Sequence, residues 1–261
     1  MNAGSTPGKR SLIVVGGKGG VGKTAVSAVA AKLLVEHGVR LLVIDADPVI
    51  SLAYALGESP GETIGDLRER VIEDPSEKRQ LRDRPVKDAL RDLVRRSAQG
   101  YDLLVMGRAE GPGCFCGLNE LLRYGIESLT KDYAVSLVDC EAGIEQVNRR
   151  SVHRIDKLLL VTDTSRRGLE AVRKVRDIAR KYDDGGSLED LLIVNRLGCE
   201  EEKGRLQALL GSSDPKVLGW LPEDPNIREF NLSGRPLMDL PSDSPCVVAV
   251  KEILRRMALI A

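Results

Sequence analysis

Ser11-Leu12-Ile13-Val14-Val15-Gly16-Gly17-Lys18-Gly19-Gly20-Val21-Gly22-Lys23-Thr24 is the stretch that decides the fold. An apolar run of strand length, Ser11 to Val15, enters a glycine-rich turn, and a helical pattern runs on from Lys23 to His37. Gly17, Gly22, Lys23 and Thr24 satisfy G-x-x-x-x-G-K-S/T in the setting that pattern requires, after a strand and opening a helix. Glycines let successive backbone N–H groups close around phosphate oxygens, and the helix N-terminus adds its partial positive charge. Gly17, Lys18, Gly19, Gly20, Val21, Gly22, Lys23 and Thr24 are therefore the candidate cradle for ATP or ADP. Lys23 reaches toward the β- and γ-phosphates, and the Thr24 hydroxyl is the candidate Mg²⁺ ligand.

Outward from the loop, apolar runs recur at Arg40–Ile44, Asp102–Met106, Ala134–Val138, Lys157–Thr162, Leu191–Val194 and Lys216–Trp220. Most are apolar throughout, as strands covered on both faces must be. Helix-length segments alternate with them: Val86–Ala98, Leu118–Leu129, Gly168–Lys181, Glu201–Leu210 and Cys246–Ala258. The alternation predicts an α/β fold, a doubly wound and mostly parallel sheet of seven or eight strands. Residues 11–261 form one domain, with 1–10 a disordered lead-in rich in Gly, Ser and Pro. In such sheets ligands bind outside the carboxyl ends of the strands, which gives the loops after each strand a common address. The stretch 57–96 breaks the alternation, being dense in charge and interrupted by Pro60, Pro75 and Pro85, and reads as two or three solvated surface helices.

Composition narrows the classes. The 261 residues carry 39 Lys+Arg and 39 Asp+Glu, so no long-range field gathers nucleic acid or anionic lipid. No apolar run approaches the ~20 residues that span a bilayer, and the N-terminus lacks the apolar centre of a secretory signal. The expectation is a cytoplasmic protein without nucleic-acid partners or stable membrane association. Its five cysteines are then thiols or metal ligands.

Lys18, a second lysine at the front of the loop, is the deviant Walker A form, K-G-G-x-G-K-T. Here the sequence resembles the P-loop NTPase family of the nitrogenase iron protein, the MinD and ParA ATPases and the arsenite-pump ATPase. The resemblance implies a homodimer in which Lys18 crosses the interface to the partner's nucleotide. Ile44-Asp45-Ala46-Asp47-Pro48 resembles the family's first switch, with Asp47 orienting the attacking water. Val138-Asp139-Cys140-Glu141-Ala142-Gly143 resembles the second, with Asp139 holding a Mg²⁺-bound water and the Gly143 N–H sensing the γ-phosphate. Val194-Asn195-Arg196 and Gly219-Trp220-Leu221-Pro222-Glu223-Asp224 resemble the base-binding loops. The Asn195 amide carries the donor and acceptor that read adenine, with Arg196 and Pro222 beside it.

The loop Glu110-Gly111-Pro112-Gly113-Cys114-Phe115-Cys116-Gly117 follows the third strand. Two thiols this close can chelate one metal, whereas a disulfide across them is strained, and the helix from Leu118 favours the Cys116 thiolate. Cys114 and Cys116 leave a tetrahedral metal half-coordinated. Either water and other side chains complete the shell, or a twofold axis assembles four sulfurs from two protomers. Ni²⁺ and Zn²⁺ both suit such a site.

Met106-Gly107-Arg108-Ala109-Glu110-Gly111-Pro112-Gly113-Cys114-Phe115-Cys116, together with Asp139-Cys140-Glu141-Ala142-Gly143-Ile144-Glu145, resembles the CooC-type accessory ATPases that insert nickel into carbon monoxide dehydrogenase. The likeness runs from Ser11 to the last helix and implies a metal-binding dimeric ATPase with that dehydrogenase, or a related nickel enzyme, as partner. The competing reading is a MinD- or ParA-like positioning ATPase acting on membrane or DNA. It would use Val247–Ile260 as a membrane helix, although Val248, Ile253, Leu254 and Met257 suit a core face. Cys140, Cys199 and Cys246 read as small core residues, and His37 and His153 as structural or solvated.

Overall fold

The computed structural model describes residues 10–107, 123–124, 126–141, 155–181 and 188–261. Eight strands form one sheet: β1 (Ser11–Gly17), β2 (Leu41–Asp45), β3 (Arg95–Arg96), β4 (Asp102–Val105), β5 (Val135–Asp139), β6 (Lys157–Thr162), β7 (Glu189–Leu197) and β8 (Lys216–Pro222). Their order is β3-β4-β2-β5-β1-β6-β7-β8, with every neighbour parallel except the β3–β4 pair. The central strands are buried along their whole length, which is why they read as unbroken apolar runs.

Alternation along β1 divides the core. Ile13 and Val15 face one layer, packed by α1 (Lys23–Glu36), α2 (Ser51–Ala55) and the 3₁₀ turn Leu237–Asp239. The last helix, Pro245–Arg256, completes that layer. Leu12 and Val14 face the other layer, covered by α3 (Ile64–Glu73), α4 (Pro75–Asp83), α5 (Val86–Leu93) and α6 (Arg166–Lys181). Helix α1 buries Val26, Ala28, Val29, Ala30, Ala31, Leu33 and Leu34 because it lies between the sheet and the last helix rather than against solvent.

The charged stretch forms three helices, but they are not merely solvated. Ile64, Leu67, Val71, Leu81, Ala89, Leu90 and Leu93 are buried in the second core layer. Each of the first two helices has its own start signal. Thr63 and Asp66 form a capping box for α3, and Asp74 caps α4 with Pro75 at its first position. The helix expected over Val86–Ala98 stops at Leu93. Val94 turns extended, and Arg95–Arg96 pair antiparallel with Leu103 and Asp102 as the eighth strand.

Two short helices escape the sequence pattern: α2, and Pro225–Ser233. The latter, α8, follows α7 (Glu200–Leu209) and precedes α9, the closing helix Pro245–Arg256. In α9, Cys246, Val247, Val250, Ile253 and Leu254 are buried as a closing helix requires, whereas Val248 is 55% exposed and is not part of that face. Cys199, expected in the core, is exposed at the N-cap of α7, while Cys140 and Cys246 are buried. Among the described residues no helix is long and apolar enough to cross a membrane.

Candidate nucleotide site

Five strand ends converge on one edge of the sheet. β1 runs into the phosphate loop, β2 into Asp47, β5 ends at Asp139, and β7 and β8 carry Asn195, Arg196 and Pro222. Between these ends opens a cavity of about 1280 Å³ lined by Gly19, Gly20, Gly22, Lys23, Thr24, Asp47, Asn195, Arg196 and Pro222, among others.

The loop depends on its glycines at defined points. Gly17 has φ 147°, and a Cβ there would lie 2.2 Å from the Val161 carbonyl oxygen on the neighbouring strand. Gly22 has φ 93°, caps α1 without a side chain, and leaves no room for a Cβ against Asn195 Nδ2 at 2.4 Å. Lys18, Gly19 and Gly20 are exposed at the tip, while Val21 is buried beneath. Lys23 is only 7% exposed, and its Nζ donates to the Lys18 carbonyl at 3.1 Å. Burial lowers its pKa, opposed chiefly by the Asp139 carboxylate.

The oxygens meet around Thr24. Thr24 Oγ1 donates to Asp139 Oδ2 at 2.8 Å, and Ser27 Oγ donates to Asp139 Oδ1 at 2.8 Å. Ser51 Oγ donates to Asp47 Oδ2 at 2.6 Å and lies 3.4 Å from Thr24 Oγ1. With the Thr24 proton given to Asp139 and the Ser51 proton to Asp47, the Thr24 oxygen keeps its lone pairs for a hard cation. These are all oxygen donors, the chemistry that suits Mg²⁺. Asp139 is fully buried, which raises its pKa to about 7 against the two hydroxyl donors that lower it. It lies behind Thr24 rather than in the cavity wall. Ser27 and Ser51 were not legible as site residues, although Ser27 stands one helical turn after Thr24 on the same face of α1.

At the far wall, Asn195 Nδ2 donates to the Val21 carbonyl at 2.8 Å, and Asn195 Oδ1 accepts the Arg196 N–H at 2.9 Å. Asn195 therefore ties the far wall of the cavity to the phosphate loop, and one amide N–H and one lone pair remain for a ligand. Arg196 has φ 59° and sits where the β7–β8 register shifts, a bulge that re-aims both residues. Asp224 holds the wall behind Pro222. Its carboxylate accepts the Asn226 N–H at 2.9 Å, the Cys246 N–H at 2.9 Å and the Ser244 hydroxyl, so one side chain caps both α8 and α9. Asp224→Ala is expected to cost about 2 kcal/mol, read as a fall in Tm of roughly 4–8 °C for a chain of this size. A Tm within 1 °C of the parent would exclude that double cap.

Cys114 and Cys116 lie outside the described residues, as do Gly143 and His153. Among the described residues no group of three His, Cys, Asp or Glu side chains forms a metal site. Cys140 and Cys246 line the cavity, but burial raises the Cys140 pKa well above that of an ordinary thiol and lifts Cys246 to about 12, so both are poor thiolate ligands.

The chain matches the CobQ/CobB/MinD/ParA nucleotide binding domain over residues 12–237. It is 34% identical over 255 residues to an uncharacterized ATP-binding protein of Methanocaldococcus jannaschii, covering 94% of this chain and 98% of the relative. It is 31% identical over 241 residues to the carbon monoxide dehydrogenase accessory protein CooC of Rhodospirillum rubrum, covering 87% and 89%. Among solved structures it is similar to the cell division protein MinD of Aquifex aeolicus, with a TM-score of 0.70, 23% identity and coverage of 96% and 98%. It is also similar to MinD of Pyrococcus horikoshii complexed with Mg-ADP, with a TM-score of 0.69, 25% identity and coverage of 95% of each chain. With the phosphate loop, the converging strand ends and a match across most of its length, the chain belongs to the CobQ/CobB/MinD/ParA family of nucleotide-binding ATPases.

Proposed function

We propose that this chain is a dimeric ATPase that carries nickel on paired Cys114-x-Cys116 loops and delivers it to a nickel enzyme of the carbon monoxide dehydrogenase kind. One observation carries the reading: the segment bearing the cysteines leaves the sheet beside the first nucleotide switch. β4 is the neighbour of β2, Val105 lies opposite Asp45, and the Met106 N–H donates to the Asp45 carbonyl at 2.8 Å. Movement of the switch that holds Asp47 is therefore felt where the chain departs toward Cys114. The likeness to CooC over 87% of the chain supports the same assignment.

In this reading residues 11–261 are one ATPase domain. Lys23 gives up the Lys18 carbonyl for the β- and γ-phosphate oxygens, and the loop N–H groups take the rest of their charge. Thr24 directly, and Asp139 through water, would hold Mg²⁺, which when bound neutralises the phosphates and aligns them for in-line attack. Asp47 orients the attacking water, and Asn195, Arg196 and Pro222 receive the adenine. Lys18, exposed at the tip of the loop, reaches the nucleotide of the second protomer.

The membrane branch of the positioning alternative would draw on Val247–Ile260 as an amphipathic helix free to lie on a membrane. α9 instead spends its apolar face on the core, with Val247, Val250, Ile253 and Leu254 at most 3% exposed. The deciding experiment is metal stoichiometry with ATP present. The parent dimer is expected to bind one Ni²⁺ or Zn²⁺ and the Cys114→Ser/Cys116→Ser variant none, with ATP binding unchanged in both. Equal metal content in the two proteins would refute delivery through this loop.

A further inference from the structure

We propose that Asp45 is a positioning residue of the ATPase site, a buried carboxylate that fixes Asp47 and the first turn of α2 at the nucleotide. The proposal rests on the reading of Asp47 as the group that orients the attacking water. The likeness to the first switch gives a role to Asp47 and none to Asp45, which on sequence alone follows the apolar run Arg40–Ile44.

The backbone of Asp45 is bonded into the sheet on both sides. It closes β2 between β4 and β5, opposite Val105 and Asp139. Its carbonyl accepts the Met106 N–H at 2.8 Å, and the next amide, Ala46 N–H, donates to the Asp139 carbonyl at 2.9 Å. Its side chain is fully buried and spends both oxygens on the chain that follows. Oδ1 accepts the Asp47 N–H at 3.1 Å, and Oδ2 accepts the Ala53 N–H at 2.9 Å. An isolated carboxylate in such a place is costly, so two N–H partners are the condition for its being there.

What those two bonds hold is the catalytic side of the cavity. α2 has only five residues, too few to be stable alone, and its N-cap, Ile50 at φ 59°, offers no side-chain oxygen. Asp45 supplies the missing acceptor from eight residues upstream, at the third helical position. Ser51, the first residue of α2, then donates to Asp47 Oδ2 at 2.6 Å, and Asp47 Oδ1 accepts the Val49 N–H at 3.0 Å. The turn from Asp45 to Ala53 is thus wrapped around one buried carboxylate, and it presents the Asp47 and Ser51 oxygens to Thr24.

The test is Asp45→Asn, alone and in an Asp47→Asn background. An amide of the same shape can accept only one of the two N–H groups and turns its own NH₂ toward the other. The expected result is a fall in kcat of about ten- to a hundredfold, with KM for ATP changed by less than about threefold. Because Asp45 acts through Asp47, adding Asp45→Asn to Asp47→Asn lowers the residual rate by less than about twofold. A parent-like kcat in Asp45→Asn, or fully multiplicative losses in the double variant, overturns the proposal. If Asp47→Asn itself has the parent rate, it is the reading of Asp47 that fails. Amide exchange in the unaltered protein decides the matter if Asp45→Asn does not fold. Asp47 and Ala53 amides exchanging as slowly as those of β2 support the brace, and exchange at the rate of an open chain overturns it.

Discussion

ATP hydrolysis by a Lys23→Met variant is expected to fall at least about a hundredfold, and ATP affinity about ten- to a hundredfold for the loss of a charge-assisted contact. Thermal stability should not fall with them. Lys23 is buried, and its pKa is lowered chiefly by desolvation. A lysine whose folded pKa lies below its unfolded value is a cation held less favourably in the fold than in the open chain. Below the folded pKa, where both states are charged, that difference counts against folding, and it diminishes as pH rises through the folded and then the unfolded value. An apolar side chain of similar length removes the burden, at the cost of one bond to the Lys18 carbonyl. Phosphate release, calorimetric titration with ATP and a melting curve on the same preparation test all three parts. A variant that melts well below the parent would show that Lys23 is a structural residue whose loss of activity is secondary.

The asymmetry between what the sequence revealed and what it concealed has a physical basis. Strands covered on both faces must be apolar at every position, so β1, β2, β5 and β6 stood out as unbroken runs, and the parallel sheet followed from the helices between them. The phosphate loop was legible because backbone close approach demands glycine, as Gly17 and Gly22 demonstrate against Val161 and Asn195. Elements defined by contacts rather than by periodicity were hidden. α2 exists because Asp45 and Asp47 hold its first turn, and β3 because two exposed arginines meet the edge of β4. In the stretch 57–96 density of charge hides the helical apolar period. Its apolar residues Ile64, Leu67 and Val71 recur at spacings of three and four and cover the sheet, while Asp66, Arg70 and Glu73 are exposed and Arg68 alone of the charges on α3 is buried.

Site residues divided the same way. Lys23, Thr24, Asp47, Asp139, Asn195, Arg196 and Pro222 sit at strand ends or in the loop, and topology alone brings them to one edge. Ser27 and Ser51 matter through hydroxyl bonds to Asp139 and Asp47, which no spacing rule predicts. Nor did the pattern separate the thiols. Cys199 looked like Cys140 and Cys246 in sequence, and only packing distinguishes the exposed one from the buried two.

Asp47→Asn is expected to lower kcat about a hundredfold, within the range lost when a group that handles a reacting proton is removed, while ATP affinity changes less than about threefold. Asp139 and Asp47 act on the buried Lys23, and the cavity lining sets Lys23, Arg196, Arg228 and Arg235 against Asp47, Glu141, Glu223 and Asp224. Polyanionic ATP therefore meets a lining of balanced side-chain charge, and removing the Asp47 charge does not weaken its binding on electrostatic grounds. What the amide cannot do is accept on both oxygens. Asp47 accepts the Val49 N–H and the Ser51 hydroxyl at once, and as a carboxylate it has lone pairs remaining for water. Asparagine keeps one of those acceptors, turns a donor toward the other partner and presents N–H where the water proton would go. Single-turnover hydrolysis under saturating ATP isolates this step from binding and release. A rate within twofold of the parent would reduce Asp47 to an Asx-turn residue that merely shapes the loop through Val49.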